Sequence, residues 1–193
     1  MTITTEDVKR LIEKYPYLIP RSVWTGKVFE DYTYDHIVGH YELPDGWTRL
    51  FLLYCKDLKP YLDAANYTDK FMFSQIKEKW GLMELYNFGA PAASHDLTML
   101  YTHYSKYVCP RCGKPTSYYT KGWTTYLCKA CAKEAKRYTT PKRMFRKPLK
   151  FKTTLYNNGK KSHPVYNMKT IHAKYMHCLN MYDEQFIEYI LEA

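Results

Sequence analysis

The stretch CPRCGKPTSYYTKGWTTYLCKAC, from Cys109 to Cys131, decides how this chain is read. It holds two CxxC pairs, Cys109/Cys112 and Cys128/Cys131, with fifteen residues between them. Two thiols on one tight turn can take adjacent corners of a tetrahedron, and the separation matches a four-cysteine zinc pattern. Four thiolates close the shell of a zinc ion and leave no corner for an activated water. The expected cofactor is therefore one structural Zn2+. Between the pairs, Ser117 to Tyr119 and Trp123 to Leu127 flank Lys121-Gly122, which predicts the short hairpin of a zinc ribbon.

Other uses of the four thiols fit less well. Disulfides need an oxidising compartment, and the opening MTITTEDVKRLIEKY has no apolar core of a secretory signal. A redox CxxC follows a strand in a βαβ unit and needs only one pair. Cys55 and Cys178 lie in helix-like apolar patterns and read as buried free thiols.

Downstream of the ribbon the charge changes abruptly. The chain of 193 residues carries a net +10. Between Lys129 and Lys161 stand twelve basic residues: Lys129, Lys133, Lys136, Arg137, Lys142, Arg143, Arg146, Lys147, Lys150, Lys152, Lys160 and Lys161. Glu134 alone opposes them, so this segment is +11 and everything else sums to −1. A field concentrated this way attracts phosphates. The bland alternative is a solvated connector. Twenty-one tyrosines suit a core with polar needs, an interface or a base-stacking surface, and do not choose among them.

Upstream, the patterns predict an α+β body. Residues 4–15 read as a helix capped by Thr4 or Thr5, with Val8, Leu11, Ile12 and Tyr15 on one face and Pro16 as its stop. Residues 16–44 are aromatic-rich and irregular. Asp45-Gly46 opens the clearest helix, on which Trp47, Leu50, Phe51, Tyr54, Leu58, Tyr61 and Leu62 recur at three and four; Pro60 is expected to kink or interrupt its last turn. Residues 70–88 read as two strands around a turn at Trp80-Gly81. Ser94 is expected to cap a helix carrying Leu97, Leu100, Tyr101, Tyr104 and Tyr107 into Cys109.

At the C-terminal end, Pro141 and Pro148 bracket the basic connector. Lys150 to Tyr156 alternates basic and apolar residues before a turn signal at Asn157-Asn158-Gly159. The tail from Thr170 is helical. No apolar run approaches the length of a membrane span. Asn66-Tyr67-Thr68 is a chance sequon in the absence of a secretion signal. Three regions are expected: an α+β body over 1–106, a four-cysteine ribbon over 107–138, and a basic connector with a helical extension over 139–193.

Several of these residues together resemble a known group. Gly46-Trp47 opens an apolar helix, and Gln75-Ile76-Lys77-Glu78-Lys79-Trp80-Gly81-Leu82 follows with Tyr86. A helix then runs into Cys109-Pro110-Arg111-Cys112-Gly113, and Gly122-Trp123 precedes Leu127-Cys128 and Cys131. This order is similar to a widespread group of small proteins of phages and bacterial prophages, in which the middle reads like KEKFGxLRFY. The likeness covers roughly residues 16–135. It implies a zinc module fused to an α+β body, a mobile-element origin and a bacterial cytoplasmic setting, and supplies no reaction. The basic connector and final helix depart from that group.

Catalytic patterns are sparse. Asp35-His36-Ile37-Val38, with His40 behind it, resembles the core of HNH nucleases, in which the His activates water and a metal holds the phosphate. Those enzymes place the motif between the two CxxC pairs; here it lies far upstream, so a polar loop is the preferred reading. His172 and His177 are five apart and do not share a helical face, and with His163 they read as surface or core histidines. No phosphate-cradling Gly loop, G-x-S-x-G elbow or HExxH is present. Lys77-Glu78-Lys79 reads as a solvated turn, with Trp80 and Tyr86 offering stacking faces should it meet phosphate.

The function expected from these features is non-enzymatic. A phage-type zinc-ribbon protein would bind nucleic acid, DNA or RNA, or a host nucleoprotein complex through its basic residues, with Tyr118, Tyr119 and Trp123 as stacking candidates. An anti-CRISPR-like inhibitor that blocks a host defence complex by protein–protein binding is the alternative. An HNH-like nuclease resting on Asp35 and His36 is third.

Overall fold

Thr4 begins the first helix of the computed structural model, which describes residues 1–22, 24–29, 43–120, 123–135, 139–141, 152–157 and 160–192. Its hydroxyl accepts from the Asp7 N–H and the Asp7 carboxylate accepts from the Thr4 N–H, closing a capping box on α1 (Thr5–Lys14). Val8, Leu11, Ile12 and Tyr15 are buried as their spacing predicts. Pro16 starts a single 3-10 turn, Pro16–Leu18.

A second 3-10 turn, Asp45–Trp47, leads directly into α2 (Thr48–Ala65). The stripe from Trp47 to Leu62 is buried along its whole length. Pro60 lies inside this helix without interrupting it. It lies on the exposed face, where water can take up the Lys56 carbonyl that a prolyl nitrogen leaves unpaired.

β1 (Met72–Lys79) and β2 (Leu82–Phe88) form an antiparallel hairpin. Trp80 and Gly81 both have positive φ, 55° and 79°, as the tight two-residue turn demands. Phe73, Ile76, Met83 and Leu85 face the core. α3 (Ala92–Ser105) follows, with Pro91 rather than Ser94 at its N-cap. Ser94 sits inside the first turn and its hydroxyl donates back to the Pro91 carbonyl at 2.8 Å, so it caps no N–H group. Leu97, Leu100, Tyr101 and Tyr104 are buried as expected.

The ribbon contributes β3 (Tyr118–Thr120), β4 (Tyr126–Leu127) and the short α4 (Lys129–Glu134). β5 (Thr139–Pro141) returns to pair with β3, giving a sheet of order β4-β3-β5. Pro141, expected only to bracket a connector, thus lies in an edge strand, where a missing N–H is tolerated. β6 (Lys152–Asn157) and β7 (Lys160–Asn167) make a third sheet, an antiparallel pair, with β6 approaching α3 and α2.

The helical tail is two helices, not one: α5 (Met168–Leu179) and α6 (Asp183–Leu191). Asn167 caps α5 by accepting from the Lys169 and Thr170 N–H groups. Met168, Ile171, Tyr175, Cys178, Phe186, Ile187 and Ile190 join the same hydrophobic cluster as α1, α2, α3 and the β1–β2 hairpin. The end of the segment read as an extension therefore fills one side of the body's core.

Polar clasps hold the two helices there. Arg49 of α2 donates to the Cys178 and Met181 carbonyls and to the Asp183 carboxylate, with its guanidinium 4.8 Å from the Phe186 ring centre. Asp57, buried in α2, accepts from Tyr101 at 2.6 Å and from Lys174 at 2.5 Å. The fold is α+β, and among the described residues no helix is long and apolar enough to cross a membrane.

Candidate metal centre

Gly113 makes the first cysteine turn possible. Its φ is +74°, and its N–H donates to the Cys109 carbonyl at 2.8 Å while the Cys109 N–H donates to the Lys114 carbonyl. This tight loop brings Cys109 and Cys112 to one side. The second turn is a helix start: Cys128 is the N-cap of α4, and its sulfur accepts from the Cys131 N–H at 3.5 Å. The β3–β4 pairing, Tyr118 opposite Leu127, carries the second turn back over the first.

The four sulfurs lie within 4.8 Å of one another. Cys112 Sγ is 3.5 Å from Cys128 Sγ and 3.6 Å from Cys131 Sγ. A disulfide would need about 2.05 Å, and all six cysteines are free. A tetrahedral ZnS4 shell with bonds of about 2.3 Å places its sulfurs ~3.8 Å apart. The group is thus positioned to hold a metal ion. Cys109, Cys128 and Cys131 are buried and Cys112 is exposed, with Leu127 and Ala132 behind the sulfurs and Tyr118 packed beside them. Cys55 and Cys178 are buried elsewhere, as their patterns suggested.

Crowding separates the proton affinities of the thiols. Burial pushes Cys131 and Cys112 up. Burial also opposes ionisation of Cys128, but the Cys131 N–H and the thiols of Cys112, Cys131 and Cys109 outweigh it and bring Cys128 down. Binding of a metal ion would release the thiol protons that remain.

Both ends of the centre are docked on the body through glycines. A Cβ on Gly46 would fall 2.2 Å from the Cys109 carbonyl oxygen and 2.7 Å from the Gly113 nitrogen. The Gly46 N–H donates to the Pro110 carbonyl at 2.8 Å, and the Trp47 indole N–H donates to the Val108 carbonyl at 2.8 Å. On the far side, Gly81 meets the backbone of Thr124 and the ring of Tyr126, each 2.9 Å from where its Cβ would be. The Gly-Trp element at residue 46 and the Trp-Gly turn at residue 80 are therefore the two seats of the ribbon.

The expected binding residues that the structure describes lie on several elements. Lys129 and Lys133 are exposed on α4. Lys152 lies in β6, and Lys160 and Lys161 in β7. Lys136, Arg137, Lys142, Arg143, Arg146, Lys147 and Lys150 lie outside the described residues, as do Lys121-Gly122 and Asp35, His36 and His40. Tyr118 and Tyr119 are half-buried in β3, Tyr118 against the cysteines. Trp123 is 62% exposed and stacked on Trp80. His172 bonds Tyr104 through Nδ1 at 2.9 Å, and His177 meets Tyr189 edge-on, which gives each a structural partner.

Sequence reasoning missed the pairing of Trp80 with Trp123, although Trp80-Gly81 and Gly122-Trp123 were both visible. It also missed β5. Comparison of the chain with protein-family models, curated proteins and solved structures finds no match.

Proposed function

We propose that this is a non-enzymatic zinc-ribbon protein of phage or mobile-element type that binds nucleic acid, or a nucleoprotein complex, through a basic surface in the bacterial cytoplasm. The observation that carries the reading is the concentration of charge, +11 between Lys129 and Lys161, beginning on the helix that supplies Cys131. Lys and Arg at that density neutralise phosphates and set register without reading sequence. Zinc is the ion favoured by four closely spaced thiolates, and its role is to hold the ribbon rigid. A closed shell of four protein sulfurs gives that ion no part in hydrolysis.

The deciding experiment is a binding titration of the metal-loaded protein with single- and double-stranded DNA and RNA at about 50 mM salt, where phosphate contacts are strong. Binding that weakens steeply with salt supports the proposal. Absence of any binding transfers the basic segment to a protein partner and gives the lead to the defence-inhibitor reading. Metal-dependent cleavage abolished by His36→Ala would instead promote the nuclease.

A further inference from the structure

A tryptophan occupies a position where the backbone asks for asparagine or glycine. Trp80 has φ 55° at the first central position of the β1–β2 turn, and a bulky side chain is strained in that region. Its indole is not buried in compensation: it stays 59% exposed. It lies 5.2 Å from the Trp123 ring, with the two planes 22° apart. Glu78 holds the arrangement, accepting from the Gly81 N–H at 2.6 Å and from the Trp123 indole N–H at 3.3 Å. One carboxylate thus orders both the strained turn and the ribbon's tryptophan. The stacked pair keeps two broad, rigid faces in water.

The outer face of the same hairpin continues the pattern. Gln75 pairs with Tyr86, Lys77 with Glu84 and Lys79 with Leu82, so these side chains share one side of the sheet. The Lys77 ammonium sits 5.2 Å from the Tyr86 ring centre. Phe88, two residues beyond Tyr86 and on the same face, is 56% exposed. Residues two apart on a strand stand ~7 Å apart, about twice the 3.4 Å spacing of stacked bases, which leaves room for one base between the rings.

We infer that the tip and outer face of the β1–β2 hairpin form a stacking site for unpaired bases of single-stranded nucleic acid. This rests on the nucleic-acid reading above and adds a stacking surface to the basic segment's phosphate contacts. The occupant follows from the chemistry. Flat aromatic faces suit unpaired bases, which present π-faces whatever the sequence, with Lys77 and Lys79 beside them. Glu84, opposite Lys77, keeps the local charge low. The contribution of this site therefore comes from stacking and is insensitive to salt, whereas the basic segment supplies the salt-dependent part.

The test uses the full-length, metal-loaded protein with a thymidine homopolymer and with a duplex of equal length. Binding is followed by anisotropy and by tryptophan fluorescence. Trp80→Asn suits the left-handed backbone and keeps the fold; Phe88→Ser alters an exposed ring on a different part of the site. The wild type should be quenched by the single strand. Trp80→Asn should weaken single-strand binding by about 5- to 100-fold, Phe88→Ser should weaken it in the same direction, and neither should change the salt slope or duplex affinity. Wild-type binding without quenching, or unchanged single-strand affinity in both variants, overturns the stacking site and leaves the nucleic-acid reading standing. No binding of either probe by the wild type removes both. Should Trp80→Asn fail to fold, Phe88→Ser decides.

Discussion

The Tyr175 hydroxyl donates to the Gly113 carbonyl at 2.7 Å, in a fully buried contact. The bond joins α5, near the end of the chain, to the loop that carries Cys109 and Cys112. Burial pushes the phenol of Tyr175 well up, so it remains a donor across the working pH range. The four-cysteine cluster and the C-terminal helices are thereby coupled through one residue.

Tyr175→Phe should leave the Gly113 carbonyl buried without that partner, costing about 1–3 kcal/mol of stability. The cysteine loop should also release its metal faster to a chelator. Urea unfolding and chelator-driven release rates check both, with Tyr182→Phe, which alters an 80% exposed ring, as a control expected to change neither. A chelator rate equal to wild type would show that the coupling does not reach the metal.

One tightly held zinc per chain is expected from the sulfur geometry. Small structural zinc sites contribute about 10 kcal/mol or more to folding, and removing one of four ligands forfeits most of that. Cys112→Ser should therefore unfold the ribbon and disturb the Trp80–Trp123 stack, which near-ultraviolet circular dichroism reports. Elemental analysis finding no metal in protein purified without chelators would defeat the zinc assignment.

Gly46→Ala tests the seat of the ribbon. The new methyl group would stand 2.2 Å from one backbone atom and 2.6 Å from another, neither of which can swing aside. The ribbon must lift off Trp47, so stability should fall by about 2–4 kcal/mol. Gly26→Ala meets no atom within 4 Å and should cost less, through its positive φ alone. Thermal denaturation of the two variants gives the comparison.

Acid should loosen the Arg49 clasp. Burial of Asp183 works against ionisation, but the Thr2 N–H and Arg49 outweigh it and hold the carboxyl below the ordinary aspartate value. A depressed folded pKa stabilises above the unfolded value, about 3.9, and that stabilisation is lost as pH falls through the folded one. The carboxylate is 40% exposed, so Asp183→Asn should cost under about 1 kcal/mol at neutral pH. The gap between variant and wild type should close below about pH 4. Urea midpoints across that range test the sign, and a gap that widens on acidification would refute it.

The basic segment makes a quantitative prediction about salt. If about six of its cations contact duplex phosphates, the logarithm of the binding constant falls with log salt at a slope near −5. Replacing Lys142, Arg143, Arg146 and Lys147 with Ala should flatten the slope by about three to four units if all four make contact. A slope unchanged by the fourfold replacement would place the phosphate contacts elsewhere.

Much of the local architecture was legible in the residue order. The spacing of the cysteines marks a four-sulfur site because each CxxC encodes its own turn. The apolar stripes of α1 and α2 and the β1–β2 hairpin are equally local, set by helical period, strand alternation and a turn. Pro60 and Ser94 each have a position-dependent effect, and Ser94 misled. A proline on the wet side of a helix need not break it, and a serine three residues from a proline caps nothing when that proline already starts the helix.

What lay beyond the sequence were pairings between residues far apart in the chain. The return of β5 to β3, the clasp of Arg49 on Asp183, the ion pair of Asp57 with Lys174 and the stack of Trp80 on Trp123 leave no period or spacing to read. The sequence by itself determined the four-cysteine set, the helical and hairpin faces and the concentration of positive charge, because backbone geometry and composition act over a few residues. The tertiary structure alone decided that Gly46 and Gly81 seat the ribbon, that α5 and α6 complete the core, and that two exposed indoles meet. Those outcomes depend on which surfaces fit once the whole chain has collapsed, and close packing selects among partners that local sequence leaves equivalent.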